Sequence, residues 1–207
     1  MAPLPNRPRL GFFVSHRGSN MRAVVSACSM GALQADPVLL ISNNRNSPAL
    51  AWAAEQSLPH LHLSPKTEGS EKALDQAHLK ALKEAGVDLI VLAGYMRKIG
   101  PKVLSAYPNR IINIHPSLLP KHGGQGMYGG KVHEAVIAAG EQESGVTVHL
   151  VDGGYDTGAI VDQTKVPVLA DDSAEDLAAR VLEQEHKFLS DTLVRIVTGE
   201  IDLDALS

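Results

Sequence analysis

Leu10-Gly11-Phe12-Phe13-Val14-Ser15-His16-Arg17-Gly18-Ser19-Asn20 is an apolar run that breaks at a polar, glycine-containing turn, and residues 20–30 beyond it have helical period. The strand, turn and helix of this first unit set the pattern for most of the chain. Apolar runs at 10–14, 38–42, 60–63, 88–94 and 110–115 are each bounded by Gly, Pro, Asn or Asp, and helical segments at 20–30, 48–56, 71–84 and 102–106 separate them. Such alternation generates parallel strands with helices on both faces. Ser47 and Ser70 stand where a hydroxyl caps the second and third helices. After Gly130 the order changes: a helix at 132–139 is followed by two strands, 146–151 and 160–168, on either side of a glycine-rich turn. A last helix opens at Ser173 and carries Leu177, Val181, Leu182, Phe188, Leu189 and Leu193 at helical spacing. The expected fold is α/β: an open, mostly parallel twisted sheet with helices on both faces, Rossmann-like, with an antiparallel addition near the C-terminal half. With no repeat and no linker, residues 1–207 read as one domain, its halves meeting between 110 and 111 and a disordered lead covering 1–8.

Bulk properties narrow the function. A charged fraction of 20% and an apolar fraction of 44% describe an ordinary globular chain. Nineteen basic against 23 acidic residues give a formal charge of -4, which offers no general attraction to a nucleic acid or an anionic bilayer. The longest apolar stretch, 87–94, is far short of the roughly 20 residues of a membrane helix, and the first ten residues lack the apolar core of a secretory signal. The single Cys28 cannot form an internal disulfide, which suits a reducing compartment, and the expectation is a cytoplasmic monomer or homodimer acting on small molecules.

Three stretches can carry chemistry. The turn Gly18-Ser19-Asn20 opens a helix, where free backbone N–H groups favour an anion; it suits one phosphate and lacks the dinucleotide and Walker patterns, although by itself it is equally a helix cap. Ile111-Ile112-Asn113-Ile114-His115-Pro116-Ser117-Leu118-Leu119-Pro120 says more. Alternation puts Asn113 and His115 on one face, about 6 to 7 Å apart along the strand, at the carboxyl edge where open parallel sheets bind ligands. An amide donor and an imidazole there can polarise a carbonyl and manage a proton. The third stretch is Asp152-Gly153-Gly154-Tyr155-Asp156-Thr157-Gly158, whose aspartates are turn formers or site residues. His149 just before it is either a structural strand histidine or a second imidazole at the site. Residues 121–130 hold five glycines in ten, so this loop is mobile or held at angles that need Gly, and its position makes it a candidate cover. His60 and His62 alternate on a strand without a third ligand at diagnostic spacing, and the charge cluster at 66–72 reads as a solvated loop and helix start.

With Leu92-Ala93-Gly94-Tyr95-Met96-Arg97 and Tyr155-Asp156-Thr157-Gly158 added, the order and spacing of these blocks resemble the folate-dependent formyltransferases over about residues 9–199, and among them the phosphoribosylglycinamide formyltransferases. The resemblance implies transfer of a formyl group from 10-formyltetrahydrofolate, a co-substrate, to the amine of glycinamide ribonucleotide, with no metal. It implies Asn113, His115 and Asp156 as the catalytic set, Gly18, Ser19 and Asn20 on the substrate phosphate, and Glu185 on its ribose. Met96, Arg97, Ile99, Val151, Gly153, Gly154 and Tyr155 would border the folate, with His149 and Ser117 supporting the site. Residues 9–110 become the ribonucleotide-binding half and 111–207 the catalytic and folate-binding half. A formyltetrahydrofolate hydrolase is expected to carry an extra N-terminal regulatory domain and a methionyl-tRNA formyltransferase an added C-terminal one, so length speaks against both. A sugar-nucleotide formyltransferase and a catalytically silent nucleotide-binding module stay open. Two departures stand out: Gly153-Gly154 where an acidic residue is common before the glycine, with Ala159 for a frequent Pro, and Lys98 where an apolar residue is common. These imply a looser folate loop and a lysine pointing to solvent.

Overall fold

The computed structural model describes residues 3–206. Strands β1 (Arg9–Val14), β2 (Asp36–Ser42), β3 (His60–His62), β4 (Leu89–Leu92) and β5 (Ile111–His115) run parallel, and β6 (Glu143–Leu150) and β7 (Ile160–Pro167) join them antiparallel. Across the sheet the order is β3-β2-β1-β4-β5-β6-β7. The helices are α1 (Ser19–Ser29), α2 (Pro48–Glu55), α3 (Pro65–Glu68), α4 (Glu71–Glu84), α5 (Pro101–Ala106), α6 (Gly130–Ala138) and α7 (Ala174–Val197), and a 3-10 turn, Leu203–Leu206, closes the chain. Alternation along the strands sorts side chains into two cores. Phe12, Val91 and Ile112 pack with α1, α2, α6 and α7, whereas Phe13, Ile90 and Ile111 pack with α4 and α5.

The expected architecture is the observed one, and Ser47, Ser70 and Ser173 cap their helices through side-chain bonds to Ala49, Ala73 and Asp176 N–H groups. Helix α3 differs from the expected loop. Its single turn is too short to show a period, and a capping box between Ser64 and Thr67 holds it. The lead also needs correction. Met1 and Ala2 lie outside the described residues, but Leu4 packs on the first core and Arg7 pairs with Asp36 at 2.8 Å, so apolar burial anchors part of a segment that composition alone marks as disordered. No helix among the described residues is long and apolar enough to cross a membrane.

Two features position the site. The sheet order reverses between β1 and β4, and their following turns are tied together: Ser15 N–H donates to the Gly94 carbonyl (3.0 Å) and Met96 N–H to Ser15 Oγ (2.8 Å). This is the switch-point crevice in which doubly wound sheets bind ligands. On the other face, the buried carboxylate of Asp75 accepts from the N–H groups of Lys102 (2.8 Å) and Val103 (3.2 Å). It caps α5 where Gly100 has no side chain to do so; a Cβ there would lie 2.2 Å from the Asp75 carboxyl carbon. The segment 95–99 is therefore held at both ends.

Candidate active site

Pairing of β5 with β6 sets Asn113 opposite His149 and His115 opposite Thr147. Since Ile112 and Ile114 enter the first core, the intervening Asn113 and His115 project to the other face, as alternation requires. Asn113 Nδ2 lies 3.0 Å from His149 Nε2, and His149 Nδ1 lies 2.8 Å from the Leu150 carbonyl. A carbonyl only accepts, so Nδ1 carries a proton; in the neutral ring Asn113 donates to Nε2, and a protonated Nε2 faces the Asp156 carboxylate. One amide hydrogen of Asn113 is thus engaged and its orientation fixed. The other remains for a ligand. His149, left open by its sequence context, belongs to the site.

Asp156 closes the set from the turn after β6. Its carboxylate lies 3.6 Å from His115 Nδ1 and 3.5 Å from His149 Nε2, and it accepts from Gly124 N–H at 2.9 Å. Burial alone would push this carboxyl up, but His149, His115 and the Gly124 amide together hold it below the usual carboxylate range. Asp156 sits at φ 55°, a left-handed conformation uncommon outside Gly, Asn and Asp. The turn is not loose despite its two glycines: Asp152 Oδ1 accepts from Gly154 N–H and Thr157 Oγ1, both at 2.7 Å.

His115 is buried beside Asp156. Burial lowers its pKa, and the upward pull of Asp156 does not overcome it. Its Nε2 lies 2.9 Å from the His122 carbonyl, so that nitrogen carries the proton of the neutral ring and Nδ1 turns a lone pair toward Asp156. The glycine-rich loop supplies both His122 and Gly124. His122, Gly124, Gly126 and Gly129 all have positive φ, which decides the use of its glycines, and Met127, Tyr128 and Gly129 cover the larger cavity.

Two cavities meet at this cluster, sharing Tyr95, Asn113, Tyr155 and Asp156. The larger, about 370 Å³, runs between α6, α7 and the strand edge and takes in Asn20, His133 and Glu185. Burial raises the Glu185 carboxyl to about 7, with a hydrogen bond from Asn20 pulling the other way. Gly18 and Ser19 line a further cavity continuous with it through Asn20, Gly94 and Met96. The α1 cap is Gly18 itself, left-handed at φ 64° and crowded by Ala49 and Val14, with no side-chain cap bond, so the first-turn N–H groups stay open to an anion. The smaller cavity, about 70 Å³, is lined by Arg97, Ile99, Val151, Gly154 and Tyr155. Met96 borders the larger cavity instead, and Gly153 faces an outer cavity beyond Lys98. Ser117 lines neither cavity of the site; its buried hydroxyl donates to the Lys121 carbonyl at 2.7 Å and pins the start of the covering loop. Lys98 is not simply turned to solvent: Nζ donates to the Gly153 carbonyl at 3.0 Å and stands 4.4 Å over the Tyr155 ring. Sequence reasoning missed His133, buried on α6 with its pKa lowered by burial; nothing in its helical spacing sets it apart. Among the described residues no cluster of three or more His, Cys, Asp or Glu is placed to hold a metal.

Comparison with known proteins gives this geometry its class. The formyl transferase family model matches residues 8–193, and the chain belongs to that family. Within it, the chloroplastic phosphoribosylglycinamide formyltransferase of Arabidopsis thaliana is 43% identical over 184 residues, 88% of this chain and 63% of that protein, so the chain spans less than two thirds of its plant relative. The phosphoribosylglycinamide formyltransferase of Haemophilus influenzae is 37% identical over 179 residues, 86% of this chain and 82% of that protein. The solved structure of glycinamide ribonucleotide transformylase 1 from Symbiobacterium toebii superposes with a TM-score of 0.87 at 36% identity, covering 94% of this chain and 89% of that one.

Proposed function

We propose that this chain transfers the formyl group of 10-formyltetrahydrofolate to the amine of glycinamide ribonucleotide, giving the N-formyl product of purine synthesis and tetrahydrofolate, in the cytoplasm. One observation carries the reading: Asn113, His115, His149 and Asp156 lie where two cavities join, and the larger cavity runs on to an open helix N-terminus suited to phosphate. An acceptor with a phosphate at one end and an amine at the other fits the larger cavity. Gly18, Ser19 and Asn20 would hold the phosphate and Glu185 the ribose hydroxyls. The pterin suits the smaller cavity, between Ile99 and Val151, with Arg97, Gly154 and Tyr155 around it; Met96 and Gly153 border it from the neighbouring spaces.

Attack of the amine on the formyl carbon places negative charge on the formyl oxygen, and the free Nδ2–H of Asn113 is a preorganised donor for it, a contribution typically of about 3 to 4 kcal/mol. The nitrogen bond forms as the carbon–N10 bond breaks; the amine gives up a proton and the departing N10 takes one. Neutral His115, its Nδ1 lone pair facing Asp156, can hold that proton between the two steps, the pair titrating as a unit. No covalent intermediate is required. Cys28 is raised to about 11 by burial, so a thiolate is disfavoured.

The test is one assay with two arms: formylfolate with and without glycinamide ribonucleotide, following tetrahydrofolate and the formylated ribonucleotide separately. Acceptor-dependent appearance of both is the expected result. Equal folate turnover with formate release in both arms would make the chain a hydrolase.

A further inference from the structure

The covering loop meets His115 through a main-chain atom, and the first residues of that loop are tied down from behind. His115 Nε2 donates to the His122 carbonyl at 2.9 Å, while His122 itself stands at φ 53°, a left-handed backbone that a residue other than glycine keeps only when its surroundings hold it. Two contacts do so. The buried Ser117 hydroxyl fixes the Lys121 carbonyl at 2.7 Å. Glu141, on the turn between α6 and β6, gathers both side chains: each of its carboxylate oxygens lies 3.0 Å from Lys121 Nζ, and Oε1 accepts from His122 Nε2 at 3.3 Å. Its own N–H donates to the Val136 carbonyl of α6 at 3.3 Å. The outer cavity that these groups border, about 660 Å³, also takes in Glu143 and Lys165, which pair with each other at 2.7 Å. The Glu141 carboxylate thus closes residues 121–141, loop and α6 together, into a ring clasped at the residue that His115 touches.

Neutral His115 has one ring proton and two acceptors that compete for it: Asp156, 3.6 Å from Nδ1, and the His122 carbonyl, 2.9 Å from Nε2. If that carbonyl moves away, the proton passes to Nδ1 beside the carboxylate and the lone pair turns to Nε2. Resting on the transfer reading above, we propose that Glu141 is a positioning residue: through the His122 side chain it keeps the His122 carbonyl on His115 Nε2, and so keeps the Nδ1 lone pair on the side of Asp156. Glu141 lines neither cavity of the site and acts only through His122. Lys121, exposed on the outside, holds the carboxylate in place without reaching His115.

The test reads the two ring nitrogens of His115 by ¹⁵N NMR in histidine-labelled protein, where protonated and unprotonated nitrogens resonate far apart, in the wild type, Glu141→Ala, Glu141→Gln and His122→Gly. Glycine keeps the carbonyl and accepts the left-handed backbone but gives Glu141 nothing to hold. A partly exposed ion pair contributes a factor of about two to five. Glu141→Ala should move the His115 tautomer ratio toward Nδ1–H by about this factor, and kcat should fall with it while both substrate dissociation constants stay unchanged. Glu141→Gln, which keeps an accepting oxygen, should restore most of the wild-type ratio. His122→Gly should reproduce Glu141→Ala, and the double variant should be no worse than either. Wild-type nitrogen signals in Glu141→Ala would leave the carboxylate a surface pair, additive effects of the two substitutions would take His122 out of the path, and a moved proton at unchanged kcat would detach it from the reaction; each of these results overturns the proposal. Because the nitrogen signals need no turnover, they still decide whether Glu141 sets the tautomer if the transfer assay fails.

Discussion

Two carboxylates border the larger cavity, and their surroundings push them in opposite directions. Asp156, on a turn, is half-buried, meets two imidazoles and a backbone N–H, and is held low; Glu185, in the middle of α7, is buried, meets Asn20, and is held near 7. Deeper burial raises Glu185, whereas the imidazoles and the amide beside Asp156 outweigh its shallower burial. Divergent environments of this kind assign different tasks to like groups. A carboxylate fixed in its charged form next to a neutral imidazole suits proton handling, whereas one poised near neutrality, on the wall away from the reacting strands, suits hydroxyl recognition that depends on pH.

The strongest way to break this comparison is Asp156→Asn. Asparagine tolerates the left-handed backbone at this position at least as well as aspartate, and its amide oxygen can still accept from Gly124 N–H, so the turn should keep its shape. What disappears is the charge facing His115. Loss of a positioned acid or base costs about 10² to 10⁴ in rate, and the loss should appear in kcat while both substrate dissociation constants, measured by titration, change much less. A variant that folds normally and retains kcat within a few fold would leave Asp156 as a turn residue.

The contrast also explains what could be read from the chain alone. The strand-borne groups were legible because alternation fixes their face: Asn113 and His115 follow from a period of two and a terminating proline. His149 was not assignable, since only the pairing of β5 with β6 sets it opposite Asn113. Asp156 and Glu185 rested on resemblance, because neither a glycine-rich turn nor one helical glutamate declares which cavity it faces. The loop that carries His122 and Gly124 to the site was no more assignable, since no local pattern dictates a path set by four positive φ values.

A smaller effect is expected from Asn20→Ala. The backbone N–H at the helix start remains for the phosphate, but Glu185 loses its one side-chain donor. Hydrogen bonds to charged groups are worth about 1.5–3 kcal/mol, so acceptor KM should rise by about ten- to a hundredfold with kcat much less affected. The pH below which acceptor binding weakens should move upward, since the removed bond is the one that holds the Glu185 pKa down. Loss of kcat at unchanged KM would instead place Asn20 with the catalytic strand and dissolve the distinction between the two carboxylates.

The smallest effect, and the sharpest on the comparison, comes from Glu185→Gln followed against pH. The folded pKa of Glu185, about 7, lies above its ordinary 4.5. Below 4.5 the group is protonated in both folded and unfolded chains and adds no pH dependence. Between 4.5 and 7 the unfolded chain gives up the proton while the folded one keeps it, so rising pH removes stability; above 7 both are ionised and the penalty is constant. Glutamine lacks this penalty. Relative to wild type, Glu185→Gln should therefore gain Tm between pH 5 and pH 8, by at least the 2–4 °C that about 1 kcal/mol makes in a domain of this size. Binding should run the other way. Ribose hydroxyls donate best to the ionised carboxylate, so acceptor KM of the wild type should rise about tenfold from pH 8 to pH 6, one unit below the pKa. The variant, with weaker binding throughout, should show only the pH dependence of the acceptor's own groups, and subtracting its profile isolates the contribution of Glu185. Parallel Tm and KM profiles for the two proteins would mean that Glu185 is ionised throughout this range like Asp156, and that the contrast between the two carboxylates fails.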